Sequence, residues 1–194
     1  MPELFYEETV NVQNADSQLK KFKTFRTLSI ISYTLLFLWL FIVYFAAGIN
    51  TENPLPDIIL LLFPAIILFM LGLSFGLLKN KFCVEYDYSF ISGTIRVSRV
   101  IANLKRKNIY DFEFRKIEKI GYYDSETYNK YQKSPGVKCV YLTTNKTPME
   151  NKDFYYIVVN LKDGKKLMLI ECTKSFIMAI IRFTGMTVLE RGFK

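Results

Sequence analysis

The sequence contains no histidine. The commonest general base of enzyme chemistry and the commonest zinc ligand are therefore both missing. Cysteine is scarce, at Cys83, Cys139 and Cys172, an odd number with no C-x-x-C spacing, which leaves neither a disulfide framework nor a zinc cluster to build. Each cysteine lies in or beside an apolar, strand-like run, so all three read as reduced, buried thiols of a cytosolic compartment. The nucleophile-elbow, zinc-protease and P-loop patterns are absent as well. Glu85, Asp87, Asp111 and Glu113 alternate with aromatics, as solvent-facing strand positions do, and do not pair as an acid and a base. The sequence offers no catalytic, cofactor-binding or metal-binding residue and no small-molecule substrate; it predicts a protein that is not an enzyme.

Charge is missing from two long stretches, Thr27–Thr51 and Ile58–Leu78. At ~1.5 Å rise per residue each is long enough to cross the ~30 Å hydrocarbon core of a bilayer, which predicts a two-span membrane hairpin. Between them, Glu52-Asn53-Pro54-Leu55-Pro56-Asp57 carries two acids, two prolines and no base, and reads as a tight turn in water. Lys20, Lys21, Lys23 and Arg26 precede the first span, and Lys79 and Lys81 follow the second. Bases on both outer flanks and none in the connector place both termini in the cytoplasm and the chain in the plasma membrane as a multi-pass protein. The lack of charge inside the spans argues against an ion or proton pathway. Twenty-six mixed residues precede the first apolar run, which is not the arrangement of a signal peptide. Gly72 and Gly76 form a small-xxx-small pair at the depth of Ser29 and Ser32, suited to helix packing within the hairpin or, alternatively, between two copies. Pro64 should bend the second helix.

Three regions follow: a cytoplasmic N-terminal segment, 1–27; the hairpin, 28–79, with spans near 28–50 and 58–78; and a cytoplasmic domain, 80–194. Residues 1–14 are compatible with a short strand or with a loose tail. From Asp16, a plausible N-cap, residues 17–27 place Leu19, Phe22 and Phe25 on one helical face, as an amphipathic helix at the headgroups would, or as a simple positive flank. The net charge is +8, and residues 79–194 hold 22 bases against 12 acids. Such a domain tethered beside a bilayer is drawn to anionic lipid rather than to nucleic acid. The expected partners are the lipid bilayer itself and another membrane protein or a second copy of the chain.

Beyond Lys79 the pattern changes to period two. Val84, Tyr86, Tyr88 and Phe90 face one way, Ser92-Gly93 turns the chain, and Ile95, Val97 and Ile101 continue the inward face. Lys105-Arg106-Lys107 reads as a basic turn, followed by strands at 110–115 and 117–122. Asp124–Val137 has no steady period and reads as a long loop. Strands follow at 137–143, 154–161 and 167–170, the last two joined by a turn at Lys162-Asp163-Gly164-Lys165. Thr173 caps a helix with Phe176, Ile177, Ile180 and Ile181 on one face and Gly185 at its end.

This order of elements from Cys83 to Arg182 resembles the pleckstrin-homology-like (PH-like) fold, and with the hairpin the whole is similar to small bacterial membrane proteins that carry two spans and a PH-like domain. The resemblance implies an α+β membrane protein in which a two-helix transmembrane hairpin precedes a seven-stranded antiparallel PH-like sandwich closed by one C-terminal helix. It further implies protein or lipid binding: a membrane-anchored adaptor or regulatory protein whose domain binds a partner protein or anionic lipid, the alternative being a structural or assembly subunit acting through the hairpin. In lipid-binding members of the fold the first hairpin loop supplies bases for a headgroup. Here that loop, taken as Ser89–Thr94, has none. The candidate anionic-lipid contacts are therefore Lys105, Arg106 and Lys107 with Lys79 and Lys81, and the candidate partner surface is Tyr122, Tyr123, Tyr128 and Tyr131.

Overall fold

The computed structural model describes residues 5–46 and 54–193, apart from several side chains at the facing ends of the two long helices. Two compact units emerge, one formed by Asn14–Cys83 and one by residues 1–13 together with 84–194.

The first unit is a helical hairpin of α1 (Ala15–Ala46) and α2 (Pro54–Leu78), followed by a short 3-10 turn over Lys79–Lys81. No glycine or proline occurs between Ala15 and Ala46, so nothing interrupts the backbone ladder where the polar segment meets the apolar one. The separate amphipathic helix expected over 17–27 is accordingly corrected: those residues are the first turns of α1. Pro54–Asp57, expected as a turn, belong to α2, because proline in a first helical turn has no useful N–H to lose. Glu52 and Asn53 lie outside the described residues, and α2 continues through Pro64. The two helices pack antiparallel. Ser29 Oγ donates to the Gly72 carbonyl at 2.9 Å, and the Tyr33 ring lies so close to Gly72 that an added Cβ would meet it at 2.9 Å. Gly76 faces Ser29 Oγ, which a Cβ would meet at an ordinary 3.4 Å. Gly72 is thus the glycine that close approach within the hairpin requires. Both helices are long and apolar enough to cross a membrane, and only 11% of the apolar window of each is buried, unlike the core helix of a soluble protein.

The second unit is built on two four-stranded sheets. The first has the order β1 (Phe5–Val10), β2 (Val84–Ile91), β3 (Thr94–Ile101) and β4 (Lys105–Glu113), all antiparallel. The second has the order β5 (Ile117–Tyr122), β7 (Asp153–Leu161), β8 (Gly164–Cys172) and β6 (Val137–Tyr141). Eight strands stand where seven were expected. The extra one is β1, whose Tyr6, Glu8 and Val10 face inward and pair across from Phe90, Tyr88 and Tyr86. The hairpin is therefore an insertion between the first two strands of the domain, and the compact units meet at 13/14 and 83/84, where the sequence reading divides the chain at 27/28 and 79/80.

Three further expectations change. The basic run Lys105-Arg106-Lys107 opens β4, and the turn is Ala102–Leu104, where Ala102 and Asn103 adopt positive φ. The supposed loop 124–137 contains α3 (Glu126–Gln132), capped by the Ser125 side chain and held by its buried Tyr128, since so short a helix depends on packing rather than propensity. The sheet is not wholly antiparallel: β6 runs parallel to β8, because the excursion over 142–152 returns the chain to β7 and leaves β6 at the edge.

The main core lies between the sheets and includes Tyr88, Phe90, Ile120, Tyr155, Ile157 and Met168. Helix α4 (Lys174–Thr184), capped by Thr173 and ended by Gly185 at φ +80, inserts Phe176, Ile177, Ile180 and Ile181 into it. The tail after α4 covers the free edge of β5: Glu190 N donates to Ile120 O, and Phe193 stacks on Tyr122 with ring centroids 4.6 Å apart. Gly121 on β5 lies beneath Glu190 and the Tyr156 ring, where a Cβ would collide with both. Gly121→Val is expected to destabilise the chain by about 1–3 kcal/mol, as overpacking of a filled site does, measured by denaturant unfolding of the full chain in detergent micelles.

Candidate functional site

The chain leaves the domain after Gln13 and re-enters it at Val84, and one loop holds both points. Asn145, buried on the 142–152 excursion, accepts from Gln13 N through Oδ1 at 2.8 Å and donates through Nδ2 to Asn11 O at 3.0 Å. Its neighbour Thr144 donates to Val84 O at 3.4 Å. The anchor beneath is Glu171 on β8, a fully buried carboxylate that accepts from Asn145 Nδ2 at 2.8 Å, Thr143 Oγ1 at 2.5 Å and Met149 N at 2.9 Å. A buried carboxylate is tolerable only when donors replace water, and three donors do so here. Burial pushes the Tyr88 phenol well above its ordinary pKa, so it stays neutral and donates to Leu142 O at 2.8 Å, fixing the start of the same excursion. The junction residues Asn14 and Cys83 both have positive φ, at +56 and +53.

A second polar tie holds β1 itself. Glu8, facing inward, accepts from Thr173 N and Oγ1 at the N-terminus of α4, where a negative charge is favoured, and pairs with Lys152 at 3.0 Å. Sequence reasoning missed Glu8, Asn145 and Glu171. Their one signal was a lone acid in the otherwise apolar run Leu167–Cys172.

The sequence-derived basic residues are divided by the strand register. Arg106 points to the outer face of the first sheet, where it pairs with Glu7 and Asp87, each at 3.1 Å. Arg96 is likewise paired with Asp111 on that face. Lys105 and Lys107 sit on the opposite face, and Lys107 lies in a row with Arg99 and Tyr86. Lys166 of β8, buried, pairs with Asp163 at 2.6 Å and lies over the Tyr110 ring at 4.8 Å. The turn before Lys105 carries the exposed Leu104 and lies at the end of the sheet where Val84 pairs with Ile101. Because β1 is the first strand, the first hairpin connection of the domain is the hairpin insertion itself, and the identification of Ser89–Thr94 as that loop is corrected. Lys79 and Lys81 belong to the hairpin unit.

The four tyrosines do not share a surface. Tyr122 packs inward on Tyr155 and Phe193, whereas Tyr128 is buried on the outer side of the second sheet with Tyr156, Val158 and Leu167. Tyr131 is packed against that second cluster, and Tyr123 is half-exposed, edge-on to Tyr128 and Phe154. Tyr128 and Tyr131 seat α3, whereas Tyr122 packs against the main core. A surface groove instead runs between β1 and α4, lined by Tyr6, Met178 and Ala179 and bordered by Lys174, Ser175 and Arg182. Among the described residues no cluster of metal-ligating side chains occurs.

Asn145→Ala is expected to cost about 1–3 kcal/mol, because it strips partners from Glu171 and two backbone groups at once. Hydrogen exchange should speed up at the Gln13 amide while the β7–β8 ladder stays protected. Glu85 has its pKa raised from 4.5, first by burial and then by Asp87. The fold therefore disfavours its ionised form: the contribution of Glu85 to stability is fully present below 4.5 and is lost as pH rises through the raised value. Glu85→Gln should stabilise the chain at neutral pH, with the difference vanishing in acid-side unfolding curves.

Residues 3–190 match the model of a family described as bacterial PH-like domain (DUF6106). No curated protein and no solved structure matches the chain.

Proposed function

Since the chain belongs to this family of bacterial PH-like domains, we propose that it is a membrane-anchored, non-enzymatic adaptor or regulatory protein whose domain holds a partner protein at the cytoplasmic surface of the plasma membrane. The observation that carries the reading is the insertion of the apolar hairpin between β1 and β2. Strands on either side of the hairpin pair with each other, so they must lie on one side of any bilayer it crosses, and the flanking bases make that side the cytoplasm. The domain is anchored through a strand connection, and Asn145 and Thr144 tie both points at which the chain leaves and re-enters it.

For the partner, the β1–α4 groove has an apolar floor and a polar, basic rim, the usual arrangement of a protein contact. The Lys105-Arg106-Lys107 run is less suited to a phosphorylated headgroup, because Arg106 is held by two carboxylates and turned away from its neighbours. The alternative of an assembly subunit acting through Gly72 and Gly76 is weaker, since Tyr33 and Ser29 already occupy that face.

The chain should stay in membranes through alkaline carbonate. In intact cells a photoreactive residue at Met178, on the exposed side of α4, should give a discrete protein adduct, and one at Phe37, exposed on α1, should not. Release by carbonate, or no adduct at either position, would overturn the reading.

A further inference from the structure

We infer that the base of the hairpin is a binding site for anionic phospholipid headgroups, separate from any partner surface on the domain. Six bases belong to this end of the unit: Lys20, Lys21, Lys23 and Arg26 on α1, and Lys79 and Lys81 on the turn after α2. Stacking brings the two sets together. The Phe25 ring lies flat on Phe82, with centroids 5.2 Å apart and planes 9° apart, and also meets Phe75 at 6.0 Å. The 3-10 turn carrying Lys79 and Lys81 is thereby fixed against the part of α1 that carries the other four.

Charge balance separates this cluster from the bases of the domain. Among the described residues, the domain bases Arg96, Arg106, Lys152, Lys165 and Lys166 are each held in an ion pair with an acid of the domain. None of the six hairpin bases is in one, and Asp16 is the only acid between Asn14 and Ala46. Five of the six are exposed, and Lys79 is partly so. An exposed cluster of this kind is accessible to counter-charge from outside the chain.

Position decides the kind of counter-charge. From Lys20 to Arg26 the helix rises about 9 Å at ~1.5 Å per residue, close to the roughly 5–8 Å of headgroup layer on each side of a hydrocarbon core. Arg26 borders the first uncharged residue of the span, and Lys79 follows the last residue of α2. Phe25, Phe75 and Phe82 sit among the bases and hold the two basic segments together. Basic clusters beside a span recognise anionic lipid, each base near the surface contributing about a fivefold preference. The ligand is the phosphate of an anionic phospholipid, held at the depth the helices set.

The inference rests on the hairpin spanning a bilayer, which carbonate extraction tests separately; a chain that stays in membranes yet shows no lipid preference would refute this inference alone. The test takes the full chain in neutral detergent and equilibrates it with equimolar phosphatidylglycerol and phosphatidylcholine of identical acyl chains. Lipids retained after washing are counted by intact-mass spectrometry. Retention should favour phosphatidylglycerol by at least about fivefold. It should fall as salt approaches roughly 1 M, where screening shortens to about 3 Å. Changing all six bases to Gln should abolish the preference, Lys79→Gln with Lys81→Gln should reduce it, and Lys105→Gln with Lys107→Gln in the domain should leave it intact. Equal retention of the two lipids by the wild-type chain, or an unchanged preference in the double Lys79/Lys81 variant, would overturn it.

Discussion

The pairing of β1 with β2 is the constraint on which the rest of this molecule depends. These are neighbouring strands of one sheet, with Val10 opposite Tyr86, yet the whole hairpin separates them in the chain. Closing a flexible loop of that length would cost on the order of 4 kcal/mol. A helical hairpin removes most of this, because its antiparallel helices return the chain close to its starting point. Ser29 against Gly72 and Gly76, and Tyr33 over Gly72, are therefore contacts that serve the sheet as well as the helices. Gly72, half of a pair that looks like a device for joining separate helices, brings together the two ends of an inserted segment.

The polar network around Glu171 is what an insertion at this point requires. Ordinary β-hairpins end in a turn whose backbone groups satisfy one another. Here β1 and β2 end without a turn, and Asn11, Gln13 and Val84 need partners from elsewhere. Asn145 and Thr144 provide them, and Glu171 fixes Asn145 in place with a charge-assisted bond that has no competitor in water. Apolar packing could stabilise the same loop, but it would not set which backbone group meets which.

Features carried by local pattern were legible in the sequence. The two apolar runs, the alternation of β2 and β3, the Ser92-Gly93 turn and the capped, amphipathic α4 all follow from residues close together in the chain. What remained hidden depends on distant partners. Phe5–Val10 has the alternation of a strand, but only Tyr86–Ile91, on the far side of the hairpin, makes it one. Glu126–Gln132 lacks a helical stripe because one residue, Tyr128, does most of the anchoring against Tyr156. The direction of β6 cannot be read from its own five residues, since the excursion after it decides the matter. For the candidate sites, adjacency misled: Lys105, Arg106 and Lys107 are neighbours in sequence, but strand geometry turns the middle one to the opposite face, and its carboxylate partners lie on β1 and β2.

The distribution of ion pairs also divides labour between the two units. The domain carries most of the positive charge, but an appreciable part is spent on its own carboxylates, and Lys166 is both paired and covered. Net charge therefore overstates what the domain can offer an anion. The hairpin carries fewer bases, with nearly no acid beside them in the chain. Long-range attraction follows total charge, whereas a lasting contact follows charge that is unpaired and held in register with its ligand. On that distinction the hairpin bases, with almost no acid beside them in the chain, differ in kind from Arg96, Arg106, Lys152, Lys165 and Lys166 of the domain, each of which is held by a carboxylate.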